Sequence, residues 1–333
     1  MSKAILIKSK KKFKEDRITI AIPAFQNKKF ILRCLKSIFN QSYENIEIII
    51  SDDCSNPPLK KYIFYKKNLK KKIRYFYQRK NIGTYHNIKF CYLKSTGKFF
   101  MIMPHDDYFK DKNYIKDAIN LFKNNNVNAT IFNTIDEYNN QKQFYIKKKK
   151  VIYSGEYYIK KKLFYEIHPA YSGVIIKKEK LDKQNYKNTF LPKYLKFKYN
   201  IDPDEYYTGL IISIFAGKVL ISNYVKTVKG YSKNSYSRSN YWKNNKNINV
   251  CVSNLVLFNY FSKLKNLSLA FFFLKQLILY GGFYPFNNII YKIFDNKKIK
   301  VIIFLSKITF QIKKIFKLFY LTFLSPIKRA IFT

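Results

Sequence analysis

The sequence predicts an α/β fold built on a parallel sheet, followed by a helical C-terminal extension. Three observations lead to this prediction. Short apolar strands alternate with amphipathic helices through the first half of the chain, polar clusters follow those strands, and from about residue 240 the chain changes to helical segments rich in Phe, Leu, Ile and Lys. Short strands joined by helices form a parallel sheet through right-handed crossovers.

The first three elements follow from hydrophobic spacing. Arg17–Phe25 has Ile18, Ile20 and Ile22 on one face, which predicts a strand. Apolar residues then recur at helical spacing from Ile31 to Phe39. Ile46–Ile50 is a continuous apolar run, typical of a parallel strand buried on both faces. The next predicted elements are a Lys-rich helix over residues 59–71, a strand at Ile73–Tyr77, a helix after Gly83 and a strand at Lys98–Met103.

Composition and charge narrow the possible partners. The chain has 333 residues, 47% of them hydrophobic, which suffices for one large domain and a smaller appendage. Its formal charge of +44 comes from scattered lysines, which indicates compositional drift together with attraction to an anionic membrane surface. No nucleic acid partner is expected, because no zinc-finger spacing or aromatic RNA-binding motif occurs.

Cysteines and apolar runs predict the compartment. The four cysteines are widely spaced and predict neither a zinc site nor a disulfide framework, which fits a reducing cytoplasm. The N-terminus lacks the pattern of a signal peptide, and no run of 18 apolar residues predicts a membrane-spanning helix. We therefore expect a cytoplasmic protein, held peripherally on the inner face of the cytoplasmic membrane.

Polar clusters follow three of the predicted strands. These are Pro23–Asn27, Asp52–Ser55 and His105–Asp107. The carboxyl ends of parallel strands meet at one edge of a sheet, where ligands bind. No glycine-rich phosphate loop follows the first strand, so carboxylates would have to hold a nucleotide, one of them through a divalent cation on the diphosphate. Taken alone, Asp52–Asp53 could equally be a turn or helix cap.

In their order along the chain, these motifs resemble family 2 glycosyltransferases with the GT-A fold. The resemblance runs through residues 18–110 in ordered blocks, which are more specific together than any one alone. The blocks are Ile18–Asn27, Ser37–Tyr43, Ile48–Ser55, Asn81–Gly83 with Asn87 and Gly97, and His105–Asp107. The resemblance implies a Rossmann-like nucleotide-diphospho-sugar transferase sheet, an inverting reaction, a nucleotide-sugar donor with UDP as the first guess, and a divalent metal, Mn²⁺ or Mg²⁺.

The resemblance also implies roles for individual residues. Those that would bind the nucleotide sugar are Pro23, Ala24, Phe25, Asp52, Asp53, Asn81, Gly83 and Asp106. Asp52 would support the loop, while Asp53 would contact the base. Asp106 and Asp107 stand at the D-x-D position; Asp107 is expected to be the direct metal ligand and Asp106 its partner.

The chain departs from the family pattern at three points. Gln26 replaces the usual Asn, and Cys54 replaces the usual Gly. Pro104 and His105 stand where many members have an earlier Asp.

A catalytic base is expected after the D-x-D block. Asp202–Glu205 precedes a predicted helix at Tyr206–Ala216, and the resembled family has an acidic pair at this position. Asp204 or Glu205 would remove the proton of the acceptor hydroxyl, and the sequence leaves open which of them does so. Acids at a helix start also stabilise the helix without any catalytic role.

The remaining resemblances concern the second half. Ser172–Ile176 is similar to the strand that lines the acceptor side in the family, and His168, just upstream, is interpreted as structural. Gly230–Arg238 is similar to a closing loop, in which Lys233 and Arg238 could neutralise the diphosphate; a polar linker is an equal interpretation.

The predicted organisation has three parts. Residues 1–16 form a basic tail, residues 17–239 form the GT-A catalytic domain, and residues 240–333 form a basic, hydrophobic helical region that associates with the membrane or packs on the catalytic domain. Within the catalytic domain, residues 17–110 are the nucleotide-binding half and residues 111–239 the acceptor half.

The predicted function is transfer of a sugar to a glycan or lipid-linked oligosaccharide in bacterial surface polysaccharide biosynthesis, such as that of lipopolysaccharide or capsule. The alternative is a non-catalytic basic protein on a membrane surface or polyanion that retains the fold.

Overall fold

The computed structural model describes most of the first half of the chain and parts of the second. The described ranges are 14–63, 73–163, 166–167, 169–178, 211, 214–215, 217–231, 253–254, 256–258, 260–262 and 264–281. The chain divides into two compact units, Met1–Tyr186 with Leu210–Tyr231 and Lys187–Gly209 with Ser232–Thr333.

Strands and helices alternate through the first unit. Its strands are β1 (Lys14–Ala24), β2 (Ile46–Asp52), β3 (Ile73–Tyr77), β4 (Gly97–Ile102), β5 (Tyr108–Phe109), β6 (Ala129–Asp136), β7 (Lys150–Ser154), β8 (Val174–Lys177) and β9 (Lys218–Lys229). Its helices are α1 (Lys28–Phe39), α2 (Lys60–Ile63), α3 (Gly83–Lys94), α4 (Tyr114–Asn124) and α5 (Gly155–Tyr157), which continues into a π-helix at Tyr158–Leu163. A 3₁₀ turn at Tyr171–Gly173 precedes β8.

Within the described residues the strands form one nine-stranded mixed sheet. Its order is β3-β2-β1-β4-β8-β6-β9, and β5 and β7 pair with successive stretches of β9. The first four strands are parallel, as the sequence predicts. β8 runs antiparallel to both β4 and β6, whereas β9 runs parallel to β6. The polar segments after β1, β2 and β4 therefore leave the sheet at the same edge.

The parallel strands are buried on both faces, as the apolar run in β2 predicts. Ile20 and Ile48 share a core cluster with Ile31 and Leu35 of α1. Ala21 and Ile49 are buried as well, and α3 packs against β1 and β2. Because side chains alternate along a strand, the sheet is covered by helices on its two sides.

The other predicted elements agree with the structure to different extents. The strands at Ile73–Tyr77 and Lys98–Met103 are confirmed, the second as Gly97–Ile102. The Lys-rich helix predicted over 59–71 is seen at Lys60–Ile63, and its remainder lies outside the described residues. Of the helix predicted at Tyr206–Ala216, the described Ile211, Ile214 and Phe215 are helical.

The described part of the second unit contains helix α6, Leu267–Gly281. Phe273 of this helix stacks on Phe261, with ring centroids 5.6 Å apart. Helical structure at this position is what the sequence predicts. Among the described helices, we find none with the length and apolar character needed to cross a bilayer. Residues 282–333, the last part of the helical region predicted over residues 240–333, lie outside the described residues.

Candidate active site

The loop that follows β2 is organised by the buried carboxylate of Asp52. One of its oxygens accepts a hydrogen bond from the Ser55 amide at 3.0 Å. The other accepts one from the Leu59 amide at 2.8 Å and another from the Tyr75 hydroxyl. A carboxylate that accepts several hydrogen bonds in a buried position fixes the loop around it. These contacts hold the segment from Cys54 to Leu59 against the end of β3.

Asp53 joins the β2 loop to β1 and to the start of α3. Its amide donates to the Ala24 carbonyl at 2.8 Å. Its two carboxylate oxygens accept from the Ile82 amide at 2.7 Å and the Gly83 amide at 2.8 Å. A carboxylate at this position also interacts favourably with the positive end of the helix dipole. Asp53 thus connects three of the sequence blocks that carry the family resemblance.

The Asn81–Gly83 block forms the entry to α3. Gly83 has φ 78°, a left-handed conformation that glycine adopts without steric cost. Its amide also donates to the Asn81 side chain, at 3.0 Å. One turn later, the buried Asn87 amide group donates to the Ser51 carbonyl at 2.9 Å. The block therefore fixes where α3 begins relative to the end of β2.

The loop after β1 has an unusual backbone. Gln26 and Asn27 have φ of 56° and 60°, and Cys54 in the facing loop has φ 66°. The Gln26 amide donates to the Ser55 hydroxyl at 2.7 Å, which ties the two loops together. Phe25, just before them, is an exposed aromatic side chain.

The turn after β4 carries Asp106 and Asp107, and these two acids have different environments. Asp107 is only 3% exposed. Its carboxylate accepts from the Ser172 hydroxyl at 2.7 Å and from the Gly230 amide at 3.0 Å. Asp106 is partly exposed, and within the described part of the chain its carboxylate makes no hydrogen bond or ion pair. Asp107 therefore anchors the turn to β8 and β9, whereas Asp106 is the acid available at the surface.

Electrostatics distinguish these two acids further. Burial, together with the negative charge of Asp106, raises the pKa of Asp107 to about 8. Two carboxylates this close favour a cation between or beside them, because a positive charge stabilises both ionised forms.

Two residues that the sequence analysis missed support the same turn. The Arg33 guanidinium, on α1, donates to the Asp106 carbonyl at 2.9 Å and pairs with Glu137 at 2.5 Å. Glu137, just beyond β6, also accepts from the Tyr231 amide at 2.8 Å. Arg33 belongs to no motif, but Glu137 follows an apolar strand in a chain with only 20 acidic residues. Its position after a strand is the same signal that singled out Asp52 and Asp53.

This arrangement agrees with what a family comparison finds. Residues 19–184 match the sequence profile described as "Glycosyl transferase family 2", and this range contains every loop described above up to β8. The chain belongs to glycosyl transferase family 2.

Two curated relatives of this glycosyl transferase family 2 chain are each named "Uncharacterized glycosyltransferase". The one from Rickettsia bellii (strain RML369-C) is 29% identical over 102 residues, which is 30% of this chain and 14% of the relative. The one from Haemophilus influenzae (strain ATCC 51907 / DSM 11121 / KW20 / Rd) is 28% identical over 112 residues, 34% of this chain and 35% of the relative. The matched segments thus cover far less than two thirds of either relative.

Solved structures support the GT-A fold. S. aureus TarS 1-349 in complex with UDP has a TM-score of 0.56 at 15% identity, covering 73% of this chain and 66% of that one. The same protein in complex with UDP-GlcNAc has a TM-score of 0.56 at 14% identity, covering 79% and 81%. At this identity the similarity concerns the fold, which is the GT-A fold that the sequence predicts.

The donor set at the β4 turn fits the divalent metal of the family. Within the described residues, no cluster of three or more His, Cys, Asp or Glu side chains could hold a metal by itself. Mg²⁺ typically binds through one or two carboxylates, with substrate phosphates and water completing the shell. Asp106 and Asp107 match that pattern, so a metal here would depend on the bound diphosphate.

Several predicted site residues lie outside the described residues. These are Asp204 and Glu205, proposed as the base, His168, and Lys233 and Arg238 of the predicted closing loop. The loop's first two residues, Gly230 and Tyr231, are described and contact Asp107 and Glu137.

Proposed function

We propose that this protein transfers a sugar from a nucleotide-sugar donor to a glycan or lipid-linked oligosaccharide, with inversion at the anomeric carbon. The observation that carries the proposal is the convergence of three polar loops, two of which bear acids, at one edge of the sheet within a glycosyl transferase family 2 domain. Ligands of parallel sheets bind at the carboxyl ends of the strands. Each of these loops is fixed by hydrogen bonds.

The nucleotide would bind across the loops after β1 and β2. Pro23 and Ala24 end β1, and the exposed Phe25 offers an aromatic face to a base. Asp53 holds these loops to the start of α3 through the Ile82 and Gly83 amides, and it is the residue to which the family resemblance gives the contact with the base. TarS, which shares the fold, binds UDP and UDP-GlcNAc, and this supports UDP as the first donor nucleotide to examine.

The divalent metal, Mn²⁺ or Mg²⁺, would be held by the β4 turn. Asp106 is proposed as the direct ligand, because it is the more exposed acid and its carboxylate makes no contact among the described residues. Asp107, which the sequence suggested as the first ligand, would hold the turn through Ser172 and Gly230. When bound, the metal would stabilise the negative charge on the departing nucleoside diphosphate.

The transfer step requires a base for the acceptor. A bond forms between an acceptor hydroxyl oxygen and the anomeric carbon, while the bond from that carbon to the diphosphate oxygen breaks. The electron pair leaves with the nucleoside diphosphate, and the hydroxyl proton passes to Asp204 or Glu205. Asp204→Asn and Glu205→Gln would separate these candidates: the variant that lacks the base loses transfer but keeps nucleotide-dependent thermal stabilisation.

The cellular setting is proposed from composition. The described cysteines, Cys34, Cys54 and Cys91, are free, which fits a reducing cytoplasm. The excess of positive charge favours the anionic inner face of the cytoplasmic membrane, where lipid-linked acceptors of surface polysaccharides are assembled.

A thermal-shift experiment with nucleoside diphosphates and their sugars, each with and without Mn²⁺, tests the proposal. A ligand that binds only the folded state adds RT ln(1 + [L]/Kd) to the unfolding free energy, about 2.7 kcal/mol at a hundredfold excess over Kd. We expect one nucleotide to raise Tm, and Mn²⁺ to increase the rise. Hydrolysis or transfer of the matching nucleotide sugar is then measured by release of the diphosphate.

A matched pair of variants tests the metal assignment. Asp106→Asn and Glu44→Gln each remove one negative charge, and Glu44 is an exposed acid before β2 and outside the site. The first should abolish the Mn²⁺ increment, and the second should retain it. If no nucleotide stabilises the wild type with Mn²⁺ present, the protein is not a nucleotide-sugar transferase. That result would favour the non-catalytic interpretation.

A further inference from the structure

A cavity of about 470 Å³ lies beside the β4 turn, entirely within the first unit. Its lining residues are Lys29, Phe30, Arg33, Glu137, Tyr138 and Tyr231. Small-molecule sites have volumes of roughly 300–1,000 Å³, so this one can contain a sugar ring. The residues implied in nucleotide binding do not line it, so it is separate from the proposed donor site.

The walls of the cavity combine aromatic faces with charged groups. The rings of Tyr138 and Tyr231 stack with centroids 4.8 Å apart. Tyr138 is 71% exposed. The Arg33 guanidinium lies over the Phe30 ring at 5.3 Å. Such walls suit a pyranose, whose apolar C–H face packs on an aromatic ring while its hydroxyl groups reach polar partners at the rim.

Two direct contacts place the cavity next to the candidate catalytic turn. Arg33 lines the cavity and donates to the Asp106 carbonyl at 2.9 Å. Tyr231 lines it too and follows Gly230, whose amide donates to Asp107 at 3.0 Å. A sugar ring in the cavity would therefore contact residues that are bonded, directly or through the next residue in the chain, to the turn proposed to hold the metal and diphosphate.

We propose that this cavity is a sugar-binding subsite that receives a pyranose ring of the acceptor glycan, with Tyr138 as the principal stacking residue. The identification of this ring as part of the acceptor rests on the proposed function. The binding of a sugar ring in the cavity is independent of it. Lys29 adds an exposed ammonium group at the rim, which would favour a uronic acid over a neutral sugar.

Saturation-transfer NMR on the full chain without nucleotide tests the subsite. The probes are methyl glycosides of glucose, galactose, mannose, N-acetylglucosamine and glucuronic acid. We expect at least one of them to receive saturation from the wild type. Tyr138→Ala should reduce that signal at least fivefold, and Tyr138→Phe, which keeps the ring, should retain it.

Tyr145→Ala is the matched control, because Tyr145 is 72% exposed and does not line the cavity. It should leave the glycoside signal unchanged. The proposal is overturned if no glycoside binds the wild type, or if Tyr138→Ala and Tyr145→Ala give equal signals.

The thermal-shift result separates this proposal from the proposed function. If a glycoside binds through Tyr138 but no nucleotide binds, the sugar site is supported and the transferase assignment is contradicted. If a nucleotide binds but no glycoside binds, the proposed subsite is contradicted and the transferase assignment is still supported.

Discussion

At the scale of single residues, two departures from the family pattern fall at left-handed backbone positions. Cys54 stands where the family usually has Gly and has φ 66°, and Gln26 stands where it usually has Asn and has φ 56°. Residues other than Gly and Asn pay about 1–2 kcal/mol for this conformation. Both loops therefore hold a residue in a conformation that Gly or Asn would adopt at a lower cost.

Replacing Cys54 tests this interpretation. Cys54→Gly should be more stable than Cys54→Ala by about 1 kcal/mol, because both variants lose the sulfur contacts but only glycine relieves the strain. Urea unfolding at neutral pH gives the difference in unfolding free energy. Equal stability of the two variants would mean that the loop relaxes out of the left-handed region.

Glu47 is a second residue whose environment predicts a measurable effect, here on the pH dependence of stability. It is buried on β2 and accepts from the Thr19 hydroxyl at 2.5 Å, the Thr96 amide at 2.8 Å and Arg74 at 2.6 Å. Burial alone would raise the pKa of Glu47, but these hydrogen bonds outweigh it and hold the pKa below the usual value.

The pH dependence of stability follows from that lowered pKa. The stabilisation by Glu47 is complete above the pKa of the unfolded chain, near 4.5, and is lost as pH falls through the lower folded value. We expect the unfolding free energy of the wild type to fall below about pH 5, and that of Glu47→Gln to fall less over the same range. If the unfolding free energies of the two proteins change with pH in parallel, the assignment of this pH dependence to Glu47 is contradicted.

At the scale of elements, the β4 turn is held by three separate parts of the chain. Arg33 of α1 holds the Asp106 carbonyl, Ser172 before β8 holds the Asp107 carboxylate, and Gly230 after β9 donates to the same carboxylate. A Cβ at position 230 would lie 1.8 Å from the Asp106 carbonyl oxygen. The approach of β9 to the turn therefore requires glycine there.

Gly230→Ala should separate the turn from the end of β9. We expect a loss of about 1–3 kcal/mol in unfolding free energy from the steric clash. A weaker Mn²⁺ increment in the nucleotide thermal shift should accompany it. Ser172→Ala is the comparison, since it removes one hydrogen bond to Asp107 without adding volume, at a cost of about 1 kcal/mol. A Gly230→Ala variant as stable as the wild type would contradict the close approach.

At the scale of the whole molecule, the charge distribution predicts membrane association. Residues 289–333 contain ten basic residues and one acidic residue among many apolar ones. Lysines and arginines close to an anionic bilayer each contribute about 1 kcal/mol of attraction, and salt screens it. The C-terminal region is therefore the proposed membrane contact.

Sedimentation with lipid vesicles, at low and at high salt, tests the proposed membrane contact. The full chain should sediment with vesicles containing phosphatidylglycerol and remain in solution with neutral phosphatidylcholine vesicles. Deletion of residues 289–333 should reduce binding to the anionic vesicles. Unchanged sedimentation of the truncated chain would assign the contact to another part of the protein.

Local patterns predicted the parallel half of the sheet well. β1, β2 and β4 and the polar residues that follow them are recognisable because apolar runs, helical spacing and polar strand ends are all short-range features. The pairing of Arg33 with Glu137 was not predicted, because the two residues are 104 positions apart and meet only when α1 and the end of β6 come together at the turn.

The family, the α/β class and the edge of the sheet where the acids converge could all be predicted from the amino-acid sequence, since each depends on residues close together in the chain. The different surroundings of the two acids depend on the tertiary structure, in which Asp107 is buried and hydrogen-bonded while Asp106 is partly exposed. The sequence suggested Asp107 as the direct metal ligand, but it could not show that long-range packing brings Ser172 and Gly230 to the Asp107 carboxylate. The cavity beside the turn has the same origin, because its walls come from α1 and from the segments that follow β6 and β9.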